Sequence, residues 1–197
     1  MIYESSGKTL FGYVGTATGQ VGKQIEPFAS TITELAAVDL DLTPQVQLAY
    51  ELYSASFSEK DADSRFLMLM MAVETLLDRK PRSNESLEVV ASLEKLVKDS
   101  NLLEEEANSL RGALKDMRLE SIGQAGRRVA SLLNGSTYQG DSPVIFFRRC
   151  YSLRSALVHG NSPRPSVADT GLRAAHLEHF VADLIAVLGG LGDNLAR

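Results

Sequence analysis

The sequence has no tryptophan, one cysteine and three histidines. A lone Cys150 closes no internal disulfide, and one Cys with three His leaves little from which to build a zinc site. No metal centre and no cofactor is therefore expected. A chain without disulfides fits a reducing compartment, so the expected location is cytoplasmic. Long apolar runs are missing too: none approaches the roughly 18 consecutive apolar residues of a membrane span. The start, Met1-Ile2-Tyr3-Glu4-Ser5-Ser6-Gly7-Lys8, lacks the basic-then-apolar pattern of a secretory leader. No membrane partner is expected. Positive charge is in short supply, the net charge being −5, which excludes a general nucleic-acid-binding coat and leaves room only for a local basic site.

What is present is ordinary for a globular chain of 197 residues: 44% hydrophobic and 23% charged, with only 7% aromatic. That length buries a real core unaided, and the core must come mainly from Leu, Ala, Val, Ile and Met. Residues 1–23 hold five glycines and read as an irregular segment or a short hairpin. From Gln24 the apolar spacing is helical, so residues 24–197 are expected to form one all-α domain, a helical bundle. Ile25, Phe28, Ile32, Leu35 and Ala36 share one face; Thr43-Pro44 is a helix start, followed by Val46, Ala49, Leu52 and Tyr53. Asp63 or Ser64 is expected to cap a helix from Arg65 to about Arg79. Its run Phe66 to Val73 is apolar on nearly all sides and marks a central element holding one acid, Glu74. Two amphipathic helices follow, Ser86 to Lys98 and Leu102 to Met117. Gly123 and Gly126 interrupt, and a short helix runs from Arg127 to Leu133. Asp141-Ser142-Pro143 opens a helix from Val144 to about Val158, closed by Gly160. Ser166 or Asp169 starts the last one, through Leu188.

The helix from Val144 to Val158 carries the chemistry. Phe146, Cys150, Leu153 and Leu157 anchor it at i, i+4, i+7 and i+11, while Arg154 lies off that stripe and His159 falls at the helix end. At 100° per residue Arg154 and His159 differ by about 140° around the axis. They share a ligand only if the helix stops near His159 and the imidazole turns back, which Gly160 permits. Histidine moves protons near neutrality, and a guanidinium grips phosphate with a two-pronged fork. Such a pair cleaves RNA without metal: the ribose 2′-hydroxyl attacks, His shifts protons, and Arg stabilises the crowded negative phosphorane. From Ser142 to Ala168 there is no Asp or Glu, while Arg148, Arg149, Arg154 and Arg164 all fall inside. In an acidic protein that stretch is a local positive field suited to an RNA backbone.

Tyr151-Ser152-Leu153-Arg154-Ser155-Ala156-Leu157-Val158-His159-Gly160 resembles the Arg-x4–6-His motif of HEPN domains, closest to the Apea-like branch. The apolar helix Arg65 to Leu77 with its acid, Glu74, resembles that branch as well. The likeness spans roughly Pro44 to Leu188. It implies a helical bundle, usually homodimeric, with paired motifs facing a shared cleft, and in many members a metal-independent endoribonuclease of toxin, antiphage or RNA-processing systems. Arg154 and His159 would be catalytic, with Ser155, Asn161, Tyr151 and Glu74 in support. Arg148, Arg149 and Arg164 would contact single-stranded RNA, and an antitoxin or other partner protein would be a natural companion. Many active members carry Asn, Asp or His directly after the Arg; this chain carries Ser155. Other members have lost catalysis and bind RNA, a nucleotide or a protein.

Plainer readings stand beside these. Arg154 and His159 could be a surface ion-pair residue and a carbonyl-capping histidine, and Glu74 a buried acid whose partner is Arg154 itself. A second Arg/His match, Arg173 with His179, lies mid-helix without a following glycine. Ser6-Gly7-Lys8-Thr9 matches the end of a phosphate loop, but Ile2 stands where a glycine is needed. His176 and His179 read as packing residues, and Met68, Met70 and Met71 as core filling.

Overall fold

A computed structural model describes residues 4–5, 8–9, 42–160 and 164–190. The chain falls into two units, Met1–Asp39 and Leu40–Arg197. In the first, Glu4–Ser5 (β1) and Lys8–Thr9 (β2) pair antiparallel, Glu4 opposite Thr9 and Ser5 opposite Lys8. A phosphate loop would open a helix at Lys8-Thr9, where this chain has a strand. The expected boundary at 23/24 and the helix expected over 25–36 lie outside the described residues.

The second unit is all-α. Its helices are α1 (Pro44–Ser56), α2 (Ala62–Thr75), α3 (Asn84–Lys98), α4 (Glu104–Asp116), α5 (Ile122–Ala130), α6 (Pro143–Val158) and α7 (Val167–Leu188), with a 3-10 turn at Ser131–Leu133. Most of the starts are written in the sequence. Thr43, Ser83, Ser121 and Ser166 accept from the backbone N–H three residues on, satisfying a donor the helix cannot. At Ser121 the Gln124 side chain returns a bond to complete a capping box.

The core lies where α1, α2, α6 and α7 meet. Phe66, Leu69, Met70 and Val73 of α2 face Phe146 and Cys150 of α6 and Leu177, Phe180 and Leu184 of α7, all essentially sealed from solvent. Tyr138, Phe146 and Phe180 cluster with centroids 5.1 to 5.5 Å apart, and the Tyr138 hydroxyl donates to Asp183. With little aromatic surface in the chain, concentrating it here supplies much of the burial energy, about 1.5–3 kcal/mol for each large side chain. Burial also pushes the Cys150 thiol up to about 12, which keeps it protonated and unreactive.

Four local expectations are corrected. The cap of α2 is Asp61, which accepts from the Ser64 amide at 2.8 Å; Asp63 lies inside the first turn, buried, and is held by Arg164. That helix stops at Thr75 rather than Arg79, and the Arg79 side chain, beyond its end, donates to the Glu120 carbonyl. Its apolar wall also has a wet side: Met71 is 52% exposed, so Met70 fills the core and Met71 does not. Finally, α5 runs straight through Gly123 and Gly126. Gly126 is there for room: a Cβ would lie 1.8 Å from the Phe147 ring.

Against this bundle α3 and α4 pack mainly on each other. Their base is tied down by polar links: Arg79 to Asp116, Arg118 to Glu94, and backbone bonds Arg82 to Arg118 and Glu120 to Lys80.

Candidate functional site

Helix α6 carries the motif because Ser142 and Pro143 start it and Gly160 stops it. The helix ends at Val158, His159 is its C-cap, and Gly160 adopts φ +64°, a conformation glycine takes without strain. The His159 amide still donates to the Ser155 carbonyl at 3.0 Å. His159 is exposed, and its imidazole has no hydrogen-bond partner among the described residues.

Arg154 faces the other way, toward α2. Its Nε lies 3.2 Å from Glu74 Oε1, and its Nη2 donates to Glu74 Oε2 at 3.5 Å. Glu74 is thus the partner of Arg154, but the grip is stretched: Oε1 gets no aligned hydrogen bond although it is buried. The Arg154 side chain keeps 31% of its surface exposed. The α2 wall beside it, with Leu48 and Met71, forms a shallow surface groove at Glu74.

The expected basic field is mostly compensated. Arg149 is bound to Asp141 at 2.6 Å and Arg164 to Asp63 at 2.7 Å, and Arg154 has Glu74. The acids come from outside the acid-free stretch, which a linear reading of that stretch does not reveal. Arg148 is different. It lines a cleft of about 390 Å³ between α5 and α6 together with Tyr151, Ser152, Ser155 and an arginine the sequence analysis did not single out, Arg127. Phe147 forms the floor and stacks on Tyr151 at 5.8 Å. Ser155 and Tyr151 therefore belong with Arg148 and Arg127, not with Arg154. Arg127 sits on a neighbouring helix, and only its spacing of four from Gly123 hinted that its side chain had space to lie back there; the two are 3.5 Å apart at the position of a Cβ. Asn161 lies outside the described residues.

No group of three or more His, Cys, Asp and Glu is arranged to hold a metal ion among the described residues. His176 and His179 lie on α7, half-buried and exposed respectively. Arg173, of the discounted second match, lies over the Phe146 ring at 5.8 Å. No described helix is long and apolar enough to cross a membrane.

Comparison with known protein families, with curated proteins and with solved structures returns no match. The functional reading therefore rests on the residues and their geometry.

Proposed function

We propose that this chain is a metal-independent endoribonuclease of HEPN type, with Arg154 and His159 as its catalytic pair. The observation that supports the reading is the end of α6: the helix stops one residue before His159, which is exposed as the C-cap, and Gly160 at φ +64° turns the chain away behind it. In the reaction the 2′-oxygen bonds to phosphorus while the bond from phosphorus to the 5′-oxygen breaks. His159 takes the 2′ proton, and a protonated imidazole delivers one to the leaving oxygen. Arg154, swinging out of its stretched contact with Glu74, meets the negative charge on the phosphorane. The products are a 2′,3′-cyclic phosphate and a 5′-hydroxyl. A homodimer supplies two imidazoles to one cleft and fits the shallow surface that a single motif leaves. A toxin or antiphage role follows from uncontrolled RNA cleavage, with an antitoxin or other partner protein to restrain it in the cytoplasm.

The pairing of Arg154 with Glu74 favours a second reading, a non-catalytic helical module that binds RNA, a nucleotide or a partner protein. Incubation with single-stranded RNA in excess EDTA separates the two. Cleavage leaving 2′,3′-cyclic ends, reduced at least about a hundredfold in His159→Ala, is the expected result, general acid–base groups contributing roughly 10²–10⁴ in rate. Arg154→Ala should abolish it as well, and expression of the wild type but not of His159→Ala should slow growth. Intact RNA with the folded wild type, under every condition tried, removes the enzyme and leaves the binding module.

A further inference from the structure

The cleft between α5 and α6 draws together the two arginines that have no partner among the described residues. Every other arginine among the described residues has an acid, a backbone carbonyl or an aromatic ring as its partner. Arg127 and Arg148 have none among the described residues, and both line the same 390 Å³ space. In a chain of net charge −5, two like charges converging without an acid are unfavourable unless an anion joins them. The remaining lining is suited to one. Tyr151, Ser152 and Ser155 bring hydroxyl donors, and the half-buried Tyr151 ring, backed by the buried Phe147, supplies an aromatic group. Helical register adds a direction: Arg148, Ser152, Ser155 and His159 fall within about 60° of one another around α6, a stripe about 16 Å long that leads from the cleft to the histidine.

The geometry points to this cleft as a phosphodiester-backbone site for a single strand of RNA, with the strand running along the stripe toward His159. The assignment rests on the RNA-directed reading above, and adds where the substrate lies and which residues hold it. Arg127 and Arg148 fork onto backbone phosphate, the hydroxyls complete its hydrogen bonds, and a base stacks on the Tyr151 face. Arg154 lies off this stripe, against Glu74, and in the nuclease reading would meet the strand only at its His159 end.

The test measures fluorescence anisotropy of a short, fully 2′-O-methylated RNA, which binds but cannot be cut. Arg127→Gln and Arg148→Gln should each weaken binding on the order of tenfold. The double variant should also flatten the plot of log K against log salt by about 1.4, two phosphate contacts at about 0.7 each for single strands. Arg127→Lys should recover much of the affinity, and both positions are exposed, so melting curves should stay close to wild type. A double variant that binds with wild-type affinity and slope overturns the assignment, whether or not the wild type cleaves unmodified RNA. So does displacement of the RNA by AMP or inorganic phosphate at equal concentration, which would make the cleft a pocket for one phosphate and not a track for a strand. Failure of the nuclease reading shows separately, as uncut unmodified RNA with binding unchanged.

Discussion

The four-helix centre and the α3–α4 hairpin, whose helices carry no aromatic residue, are held by different forces. In the centre, α2 alone buries Phe66, Leu69, Met70 and Val73, all in one hydrophobic cluster with residues of α1, α6 and α7. In the hairpin, α3 buries only Val90 and α4 only Ala107 and Leu114, while Leu96 and Leu103 stand 67% and 73% exposed. What ties the hairpin to the body is polar: guanidinium–carboxylate pairs and a few backbone bonds at its base. Such exposed pairs contribute little each. The lesson is about placement. The candidate site sits on α6, whose back is fixed by Phe146 and Cys150 in the rigid part, so its register is dictated by packing, while the hairpin is free to vary without disturbing it.

The strongest way to break this contrast is to truncate one side chain in each region. Phe66→Ala should lower stability by about 3–5 kcal/mol, a cavity in a core that cannot collapse, whereas Leu103→Ala should stay within about 0.5 kcal/mol. Denaturant titration reads both, and equal losses would mean the hairpin is as integral as the bundle. Glycine sharpens the comparison. Gly126→Ala forces a methyl into the Phe147 ring and should destabilise by about 1–3 kcal/mol. Gly112→Ala, in α4 with open space around it, should stabilise by about 0.5–1 kcal/mol through helix propensity alone.

The smallest effect is set by pH. The carboxyls of Asp116, Glu94 and Glu120 are held below their usual range, first by hydrogen bonds from Arg79, Arg118 and Arg128 respectively. Because their folded values are depressed, whatever stability they lend is fully present above the ordinary carboxylate range and is lost as pH falls through the folded values. Hydrogen exchange should therefore show α3 and α4 amides losing protection on acidification before those of α2 and α7. Simultaneous loss in all four would tell against a separately anchored hairpin.

Much of the fold was legible in the residues. Thr43-Pro44, Ser166 and Gly160 mark boundaries because capping and positive φ are local matters, decided by side chains within a turn of the backbone they serve. The stripe of Phe146 and Cys150 was readable for the same reason: helical period alone puts residues four apart on one face. Asp61, in contrast, holds the cap that Asp63 was expected to hold, while Asp63, inside the first turn, is bound by Arg164, 101 residues on in the chain. Gly126 read as an interruption because its reason, the ring of Phe147, lies on another helix.

The site divides along the same line. The sequence by itself determined a helix carrying Arg154, ending at His159, and capped by Gly160, since each is a short-range consequence of residue type and spacing. It also suggested Glu74 as the partner of Arg154. Only the tertiary structure decided which arginines stay uncompensated. Charge compensation acts through space, so Arg149 and Arg164 were neutralised by acids that a linear count of their own segment omits, while Arg127 and Arg148, from different helices, were left facing the same cleft.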